Sequence, residues 1–112
     1  MIFDPFDVVV VPFPFSDRAA SKRRPALVLS SHAFNAAHDQ VVLAMITSSR
    51  ADPWPSDVPL ADWRSAGLTV PCHMRAKVFT LDTALILRRV GHLSDGDIEA
   101  VRVTLRTVFD RA

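Results

Sequence analysis

The chain has 112 residues, of which 49% are hydrophobic, and its formal net charge is +1. This length suits a single domain over residues 1–112 with one core, so it excludes separate catalytic and binding domains. A net charge of +1 excludes the strongly basic balance of a DNA-coating protein, and any nucleic-acid site must concentrate positive charge locally.

The first half of the chain predicts three short strands with polar connections. The β-branched run at residues 8–11 is too short for a helix and is typical of a strand buried on both faces. Residues 26–29 and 40–47 are nearly all apolar and predict the second and third strands. Residues 17–24 are polar and basic and predict a loop, and residues 32–38 favour a short helical turn.

A proline-bracketed connection at residues 52–57 and a short edge strand at residues 58–60 follow. From residue 70 apolar and polar residues alternate, which predicts a strand with one buried face and one face exposed to solvent. The residues expected on the buried face are Val70, Cys72 and Met74. The residues expected on the exposed face are Pro71, His73 and Arg75.

The last part of the chain predicts one more strand and then a helix. An apolar run at residues 84–90 ends at Gly91. Ser94 with Asp97 three residues later is a weak form of the capping box that begins many helices. Apolar residues then recur on one helical face, at Ile98, Val101, Leu105, Val108 and Phe109. Five or six consecutive strands with one terminal helix predict a mainly β fold, as a small antiparallel barrel or sandwich.

Cysteine usage and hydropathy set the expected environment. Cys72 is the one cysteine, which excludes an intrachain disulfide, favours a reducing, cytoplasmic setting and predicts a core side chain rather than a reactive thiol. The first residues lack a basic region followed by an apolar run, so we expect no signal peptide. No apolar stretch approaches the roughly 18 residues needed to cross a bilayer, so we expect no contact with a membrane.

Several familiar kinds of site are excluded by what the chain lacks. Its three glycines are widely separated and form no phosphate-binding loop, and there is no Gly-x-Ser-x-Gly motif. His32 and His38 lie six positions apart without Cys or His partners at zinc-ligand spacing, so they are expected to be surface histidines. We therefore expect neither a metal ion nor a cofactor.

The remaining polar residues suit phosphodiester chemistry without a metal. A basic cluster that ends with Arg23 and Arg24 runs into the second strand, and Thr47 ends the third. Arginine offers forked donors that match phosphate oxygens. RNA carries its own nucleophile, the 2′-hydroxyl, so a protein has only to align it and to stabilise the charge that grows on the phosphate. Arginine and threonine at strand ends are nevertheless common, and a helix cap or a surface ion pair is the alternative.

Five segments occur in an order that resembles one known family. Residues 7–17 (DVVVVPFPFSD) precede residues 21–30 (SKRRPALVLS), and the later landmarks are ITS at 46–48, AGL at 66–68 and VGHLS at 90–94. In this order, from about residue 7 to residue 108, they resemble the MazF/PemK toxins. The departures are Phe6, where the family usually has glycine, and His92, where a longer basic or polar residue is frequent.

The resemblance implies an SH3-like small barrel of the MazF/PemK/CcdB type, acting as a homodimer and as the toxin of a type II toxin–antitoxin pair. Such toxins cut single-stranded RNA without metal and leave a 2′,3′-cyclic phosphate (or 3′-phosphate) and a 5′-hydroxyl. Arg24 matches the family's catalytic arginine and Thr47 its catalytic threonine. Arg24 would stabilise charge on the phosphate, and Thr47 would donate a hydrogen bond to it. A cognate antitoxin is the expected protein partner, with an acidic or extended tail in the basic groove.

The resemblance also implies a surface of RNA contacts around these two residues. In the loop before Arg24, Phe15 would stack on a base, with a place in the core as its alternative. Ser48 and Ser49 would contact base edges, and His73 and Arg75 would contact phosphate. The full set of expected RNA-binding residues is Phe15, Ser16, Ser21, Lys22, Arg23, Ser48, Ser49, His73 and Arg75.

Two functions of other classes remain open. A CcdB-like toxin with the same fold type would poison gyrase through protein contact and would leave RNA intact. A non-catalytic SH3-like module would bind RNA or a protein partner without cutting either. Only the endoribonuclease needs the Arg24 and Thr47 pair, so substitution of these two residues separates the three alternatives.

Overall fold

The computed structural model describes residues 1–12 and 22–110. Within these residues the strands are β1 (Asp7–Pro12), β2 (Arg23–Val28), β3 (Gln40–Ser48), β4 (Val58–Pro59), β5 (Cys72–Asp82) and β6 (Arg88–His92), and the α-helices are α1 (His32–His38) and α2 (Asp95–Val108). The strands form one antiparallel sheet in the order β4-β5-β3-β2-β1-β6. The predicted mainly β fold with a terminal helix is confirmed. Neither described helix is long and apolar enough to cross a membrane.

The sheet is buried on both faces, which explains the nearly unbroken apolar runs of its central strands. Alternate residues of these strands contribute to two apolar clusters, so that Val8 and Leu27 belong to the first and Val9 and Val28 to the second. Val58 of one edge strand and Val90 of the other both pack on the first cluster. The sheet therefore curls around that cluster, as a partly closed barrel.

Helix α2 covers the first cluster. Its N-cap is Ser94, whose hydroxyl accepts a hydrogen bond from the Asp97 backbone N–H at 3.3 Å. Val101 is fully buried in the cluster, and Ile98 and Leu105 pack against it. The expectation that Val108 and Phe109 share this buried face is wrong, since their exposed fractions are 39% and 53%. The packing of α2 on the cluster ends with Leu105, one turn before the end of the helix.

Asp97 does not close a capping box but ties α2 to another part of the chain. Its side chain is buried, and its two carboxylate oxygens accept hydrogen bonds from the backbone N–H groups of Ala61 and Asp62 at 3.0 and 2.9 Å. This carboxylate holds the start of the helix against the segment that follows β4. Asp62 and Asp97 are 35 positions apart in the sequence, so no local pattern predicts their contact.

The strand that carries the basic residues begins earlier than its apolar run. Arg23 and Arg24 were expected in a loop but belong to β2, where they pair with Pro12 and Val11 of β1. Pro25 is tolerated inside β2 because the pairs between β2 and β3 begin only at Ala26, so the missing N–H of proline breaks no bond there. Arg23 and Arg24 therefore lie beyond the part of β2 that pairs with β3.

The last two strands also differ from the sequence pattern. The apolar run at residues 84–90 is not one strand, because a 3₁₀ turn at Thr83–Leu85 precedes β6. The Asp82 carboxylate accepts the Ala84 N–H at 3.0 Å and so begins this turn. Strand β5 starts at Cys72 rather than at residue 70, and it carries an irregularity opposite Ala44 and Met45 of β3.

Two glycines permit a close approach between the segment before β5 and strand β6. Gly67 has a φ of +85°, and a Cβ built there would lie 2.2 Å from the Val90 carbonyl oxygen. A Cβ built at Gly91 would lie 2.2 Å from the Ala66 carbonyl oxygen. Each backbone therefore occupies the space that a side chain on the other would need, and both positions require glycine.

We expect Gly67→Ala to lower the free energy of unfolding by about 2–4 kcal/mol, because it combines an unfavourable φ with a steric overlap against backbone. Gly96→Ala is the matched control, since a Cβ at Gly96 meets nothing within 4 Å. It should leave that free energy unchanged or raise it by up to about 1 kcal/mol. Urea unfolding of the two variants measures both effects, and equal stabilities would contradict the close approach.

Candidate functional site

A groove lies where β2 and β3 end beside the segment that leads into β5. It consists of two adjoining cavities of about 410 and 370 Å³ that share Ser48 and Val70 in their walls. The charged and hydroxyl residues that line it are Lys22, Arg23, Arg24, Ser48, Ser49, Arg50 and Thr69. We call this the basic groove.

The basic groove is suited to a polyanion with apolar parts. Among its described lining residues four are cationic and none is acidic, although the chain as a whole is nearly neutral. Its remaining walls are apolar, with Pro25, Ile46, Leu68 and Val70 among them. Like charges along one groove raise the local concentration of an anionic ligand, and the hydroxyls add adaptable hydrogen-bond donors.

The register of β2 and β3, carried two residues past its last pair, aligns Arg24 with Thr47. Ala26 of β2 pairs with Met45 of β3, and the same register continued by two residues sets Arg24 beside Thr47. Alternate residues of a strand share a face, so both side chains belong to the face of Ala26 and Met45. On the other side of Thr47, its paired residue on β5 is His73. We call Arg24, Thr47 and His73 the cross-strand row.

The basic groove and the cross-strand row meet at Arg24. Thr47 is buried, with 6% of its area exposed, whereas its neighbours Ile46 and Ser48 line the groove. Successive residues of a strand point to opposite faces, so Thr47 faces away from the groove. Arg24 belongs to both the basic groove and the cross-strand row, because it lines the groove and is aligned with Thr47 by the strand register.

Asp57 anchors a buried network beside the cross-strand row. Arg75 donates from Nε to Asp57 Oδ1 at 3.1 Å and from Nη2 to Asp57 Oδ2 at 2.9 Å, and Nη2 also donates to the Asp52 carbonyl oxygen at 2.7 Å. The Trp54 N–H donates to Asp57 Oδ2 at 2.8 Å. His73 Nε2 lies 3.0 Å from the same oxygen but makes no hydrogen bond.

This network corrects the expected surroundings of two predicted RNA ligands. The exposed fractions of the His73 and Arg75 side chains are 9% and 11%, so the prediction of a solvent-exposed strand face is wrong. The reason is that the connection before β4 folds over that face, and Pro59 pairs with His73. The signal in the sequence was Arg75 within a largely apolar strand, because a buried guanidinium needs a carboxylate such as Asp57 to balance it.

The surroundings of Asp57 favour its charged form. Burial alone would raise the pKa of its carboxyl group, but the hydrogen bonds from Arg75 and from the Trp54 backbone and the charges of His73 and Arg75 outweigh burial and lower that pKa below 3.8. The Asp57 carboxylate is therefore a fixed negative charge at neutral pH. It balances the charge of the Arg75 guanidinium.

A second buried carboxylate, Asp7, lies at the opposite end of β1 from the groove. It accepts hydrogen bonds from the Asp4 N–H, from Arg89 Nε and from the His92 ring, each at 2.9 Å. Burial opposes its ionisation, but these contacts with Asp4, His92 and Arg89 lower its pKa. No motif in the sequence marks Asp7 as functional, and its contacts fix the start of β1 against β6.

The remaining predicted residues fall into two groups. Phe15, Ser16 and Ser21 lie outside the described residues. His32 and His38 lie on α1 and are exposed as expected, and His32 contacts Asp4 at 2.8 Å. Cys72 is a buried core residue as predicted, and burial raises the pKa of its thiol. Within residues 1–12 and 22–110, no group of three or more His, Cys, Asp and Glu side chains is arranged to hold a metal ion.

Comparisons with known proteins were made on sequence and on structure. A family model described as PemK-like, MazF-like toxin of type II toxin-antitoxin system matches residues 4–109. A comparison with proteins of curated function found no match.

Solved structures match over nearly the whole chain. A MazE–MazF structure from Deinococcus radiodurans has a TM-score of 0.77 at 24% identity, with 96% of each chain covered. The Mycobacterium tuberculosis toxin MazF-mt6 has a TM-score of 0.72 at 20% identity, covering 95% of this chain and 98% of that one. An endoribonuclease in complex with its cognate antitoxin from a mycobacterial species has a TM-score of 0.73 at 19% identity, covering 95% and 91%. At these identities the matches establish the fold.

We expect Asp57→Asn to lower the free energy of unfolding by about 3–5 kcal/mol at neutral pH, because it leaves the buried Arg75 guanidinium without its counter-charge. The pKa of Asp57 is lower in the folded chain than its usual value of 3.8, so its contribution is fully present above that value and is lost as the pH falls through the lowered pKa.

The stability difference between the wild-type chain and Asp57→Asn should therefore be constant from neutral pH down to about pH 5 and shrink in stronger acid. Urea unfolding at a series of pH values measures it. The exposed residue Asp110 supplies the control, as Asp110→Asn should match the wild-type chain throughout. A difference that persists unchanged at pH 2 would show that the Asp57 charge is not what stabilises the network.

Proposed function

Since the chain belongs to the family of PemK-like, MazF-like toxins of type II toxin–antitoxin systems, we propose that it is an endoribonuclease that cuts single-stranded RNA without a metal ion. The observation that carries this proposal is the position of Arg24, which lines the basic groove and stands level with Thr47. The groove has the charge to hold an RNA backbone, and the row offers two donors to one phosphate. One of the similar structures is itself an endoribonuclease bound to its cognate antitoxin.

The proposed reaction uses the nucleophile of the substrate. The 2′-hydroxyl loses its proton and attacks the adjacent phosphorus, the bond to the 5′-oxygen breaks, and that oxygen takes up a proton. The products are a 2′,3′-cyclic phosphate, which water can open to a 3′-phosphate, and a 5′-hydroxyl. Negative charge grows on the phosphate oxygens as phosphorus becomes pentavalent, so donors aimed at those oxygens lower the barrier.

Arg24 and Thr47 divide this task. The guanidinium of Arg24 acts as a fixed positive charge with forked donors rather than as an acid. The hydroxyl of Thr47 is a single donor held by the strand. Both belong to paired strands and not to a loop, so their positions are set before RNA binds, and preorganised donors are the ones that accelerate a reaction most.

The proposed path of the RNA follows the basic groove. Lys22, Arg23 and Arg50 contact phosphates, and Ser48 and Ser49 contact base edges. Because Asp57 holds them, His73 and Arg75 are proposed to support Thr47 and the connection above it rather than to bind phosphate directly.

An antitoxin and a second copy of the chain are the proposed protein partners. The basic groove is complementary to an acidic or extended antitoxin segment, which would exclude RNA by occupying the same cations. The structural relatives from Deinococcus radiodurans include MazE–MazF complexes. We further propose that the chain acts as a homodimer in the cytoplasm, where a lone reduced cysteine is stable.

We expect Arg24→Ala and Thr47→Ala each to lower the cleavage rate about 100-fold or more, which is the usual effect of removing one transition-state donor. Arg24→Lys should recover only part of the rate, because it restores the charge without the fork. The assay is cleavage of a mixed single-stranded RNA by the purified chain in EDTA. Arg106→Ala on the exposed part of α2 is the control and should cut at the wild-type rate.

Three outcomes of this assay would overturn the mechanism. They are full activity in Arg24→Ala, cleavage that requires an added metal ion, and cleavage that survives replacement of the 2′-hydroxyl at the cut site by hydrogen. RNA that binds but stays whole would identify a binding module. Intact RNA with blocked DNA supercoiling would identify a gyrase poison.

The groove cations generate a prediction about salt. With an RNA that is 2′-O-methylated and so cannot be cut, Lys22→Ala and Arg23→Ala should each weaken binding and reduce the slope of log affinity against log salt by roughly 0.7. When one phosphate contact is removed, RNA binding releases fewer counterions, and the slope becomes smaller for this reason. Binding is measured by titration at several salt concentrations, with Arg106→Ala again as the control. An unchanged slope in both variants would remove the groove from the RNA path.

A further inference from the structure

Trp54 is a large aromatic residue in an unusual position for its type. It lies at the surface of the connection between β3 and β4 with 42% of its area exposed, although indole gains much from burial. The guanidinium of Arg75 stacks on its ring, with Cζ 4.7 Å from the ring centroid. One side of the indole is thus covered by a planar cation, while a large part of the ring stays accessible.

Trp54 is held in place through its backbone and through the contact of its ring with Arg75. The Trp54 backbone N–H donates to the Asp57 carboxylate at 2.8 Å, and the Trp54 carbonyl oxygen accepts from the Asp57 backbone N–H at 3.0 Å. Pro53 and Pro55 on either side restrict the backbone further. Arg75 is itself fixed by its two hydrogen bonds to Asp57. A ring that is already ordered loses little conformational entropy when a ligand stacks on it.

Trp54 lies close to the cross-strand row. Arg75 and His73 are two residues apart on β5 and share a face, which separates them by about 6.6 Å along the strand. His73 pairs directly with Thr47 on the next strand, about 4.8 Å away. Since the indole stacks on Arg75, it lies roughly 10–15 Å from Thr47 by these spacings. That is within reach of a nucleotide next to the phosphate that is cut.

We propose that Trp54 is a stacking platform for one nucleobase of the RNA, adjacent to the scissile phosphate. Unpaired bases stack on aromatic rings and on arginine planes, and this is the main way in which proteins bind single-stranded RNA. Arg75 covers the back of the indole, and the base takes the accessible side. The role rests on the proposed endoribonuclease function and adds to it a residue that holds the register of the substrate.

The platform explains the network around Asp57. This single buried carboxylate fixes the Trp54 backbone, the Arg75 guanidinium and the surroundings of His73. It therefore links the place where a base would stack to the strand that pairs with Thr47. A base held on Trp54 is thus set at a constant distance from the cross-strand row, and the position of the cut along the RNA depends on that distance.

The test compares Trp54→Phe with Trp54→Leu, two apolar residues of which only one can stack. The wild-type cut site is first mapped on a long single-stranded transcript and then placed in a short synthetic RNA. Trp54→Leu and Trp54→Ala should raise KM about 10- to 100-fold with kcat nearly unchanged, because stacking contributes equally to the bound substrate and to the transition state. Trp54→Phe should stay within a few-fold of wild type. Phe109→Ala, at a 53% exposed aromatic on α2, is the control and should match wild type.

A second measurement finds the stacked base. Each nucleotide near the cut is replaced in turn by an abasic residue, and KM is measured with the wild-type chain and with Trp54→Leu. At one position the abasic residue should raise KM for the wild-type chain and add no further loss in Trp54→Leu. Additive losses at every position would overturn the platform.

Two other outcomes are equally decisive. Equal KM values for Trp54→Phe and Trp54→Leu would overturn the stacking role. If either variant also bound an antitoxin peptide more weakly than the wild-type chain, Trp54 would belong to a protein interface instead. A wild-type chain that cuts no RNA would overturn the proposed function itself, which is a result distinct from failure of Trp54 alone. Thermal unfolding of each variant shows that the fold persists.

Discussion

The register between β2 and β3 is the constraint on which the proposed site depends. Ala26 faces Met45, and the same alignment carried to the strand ends sets Arg24 level with Thr47. A shift by one residue would turn one of the two side chains to the opposite face of the sheet. The register is held by packing on both faces, since Leu27, Val28 and Leu43 are fully buried and a slip by one residue would move each of them into the other apolar cluster. The packing of the two apolar clusters therefore also positions the polar residues at the edge of these clusters.

Two buried carboxylates complete this framework, each at a place where the sheet alone would be weak. Asp97 holds α2 to the segment after β4, and Asp57 holds the connection before β4 to β5. Both accept hydrogen bonds from backbone N–H groups of segments without regular structure, which would otherwise lose these bonds on burial. Asp57 also balances Arg75 and contacts His73, and neither of these two residues lines the basic groove.

The sequence predicted the parts of this structure that depend on local pattern. The apolar runs gave the central strands, and the apolar period of Ile98, Val101 and Leu105 gave the face of α2 that packs on the sheet. The prediction from sequence failed where a segment distant in the chain covers a residue. His73 and Arg75 alternate with apolar residues as exposed residues would, yet the connection ahead of β4 covers them. Likewise the apolar run at residues 26–29 predicted a strand that begins at Ala26, and only the pairing with β1 shows that β2 extends through Pro25 to Arg23.

The candidate site also has one part that local sequence pattern predicts and another that depends on contacts between distant segments. The cluster of cations before the second strand and the hydroxyls after the third are visible in the sequence, and the fold brings both to one groove. The joint role of Arg24 depends on register and could not be derived from composition. The most direct measurement is a crystal structure of the chain with an RNA that has hydrogen in place of the 2′-hydroxyl at the cut site. The account predicts that the Arg24 guanidinium and the Thr47 hydroxyl both lie within about 3.2 Å of oxygens of the same phosphate. A scissile phosphate bound by Arg24 with Thr47 still buried and out of contact would contradict it.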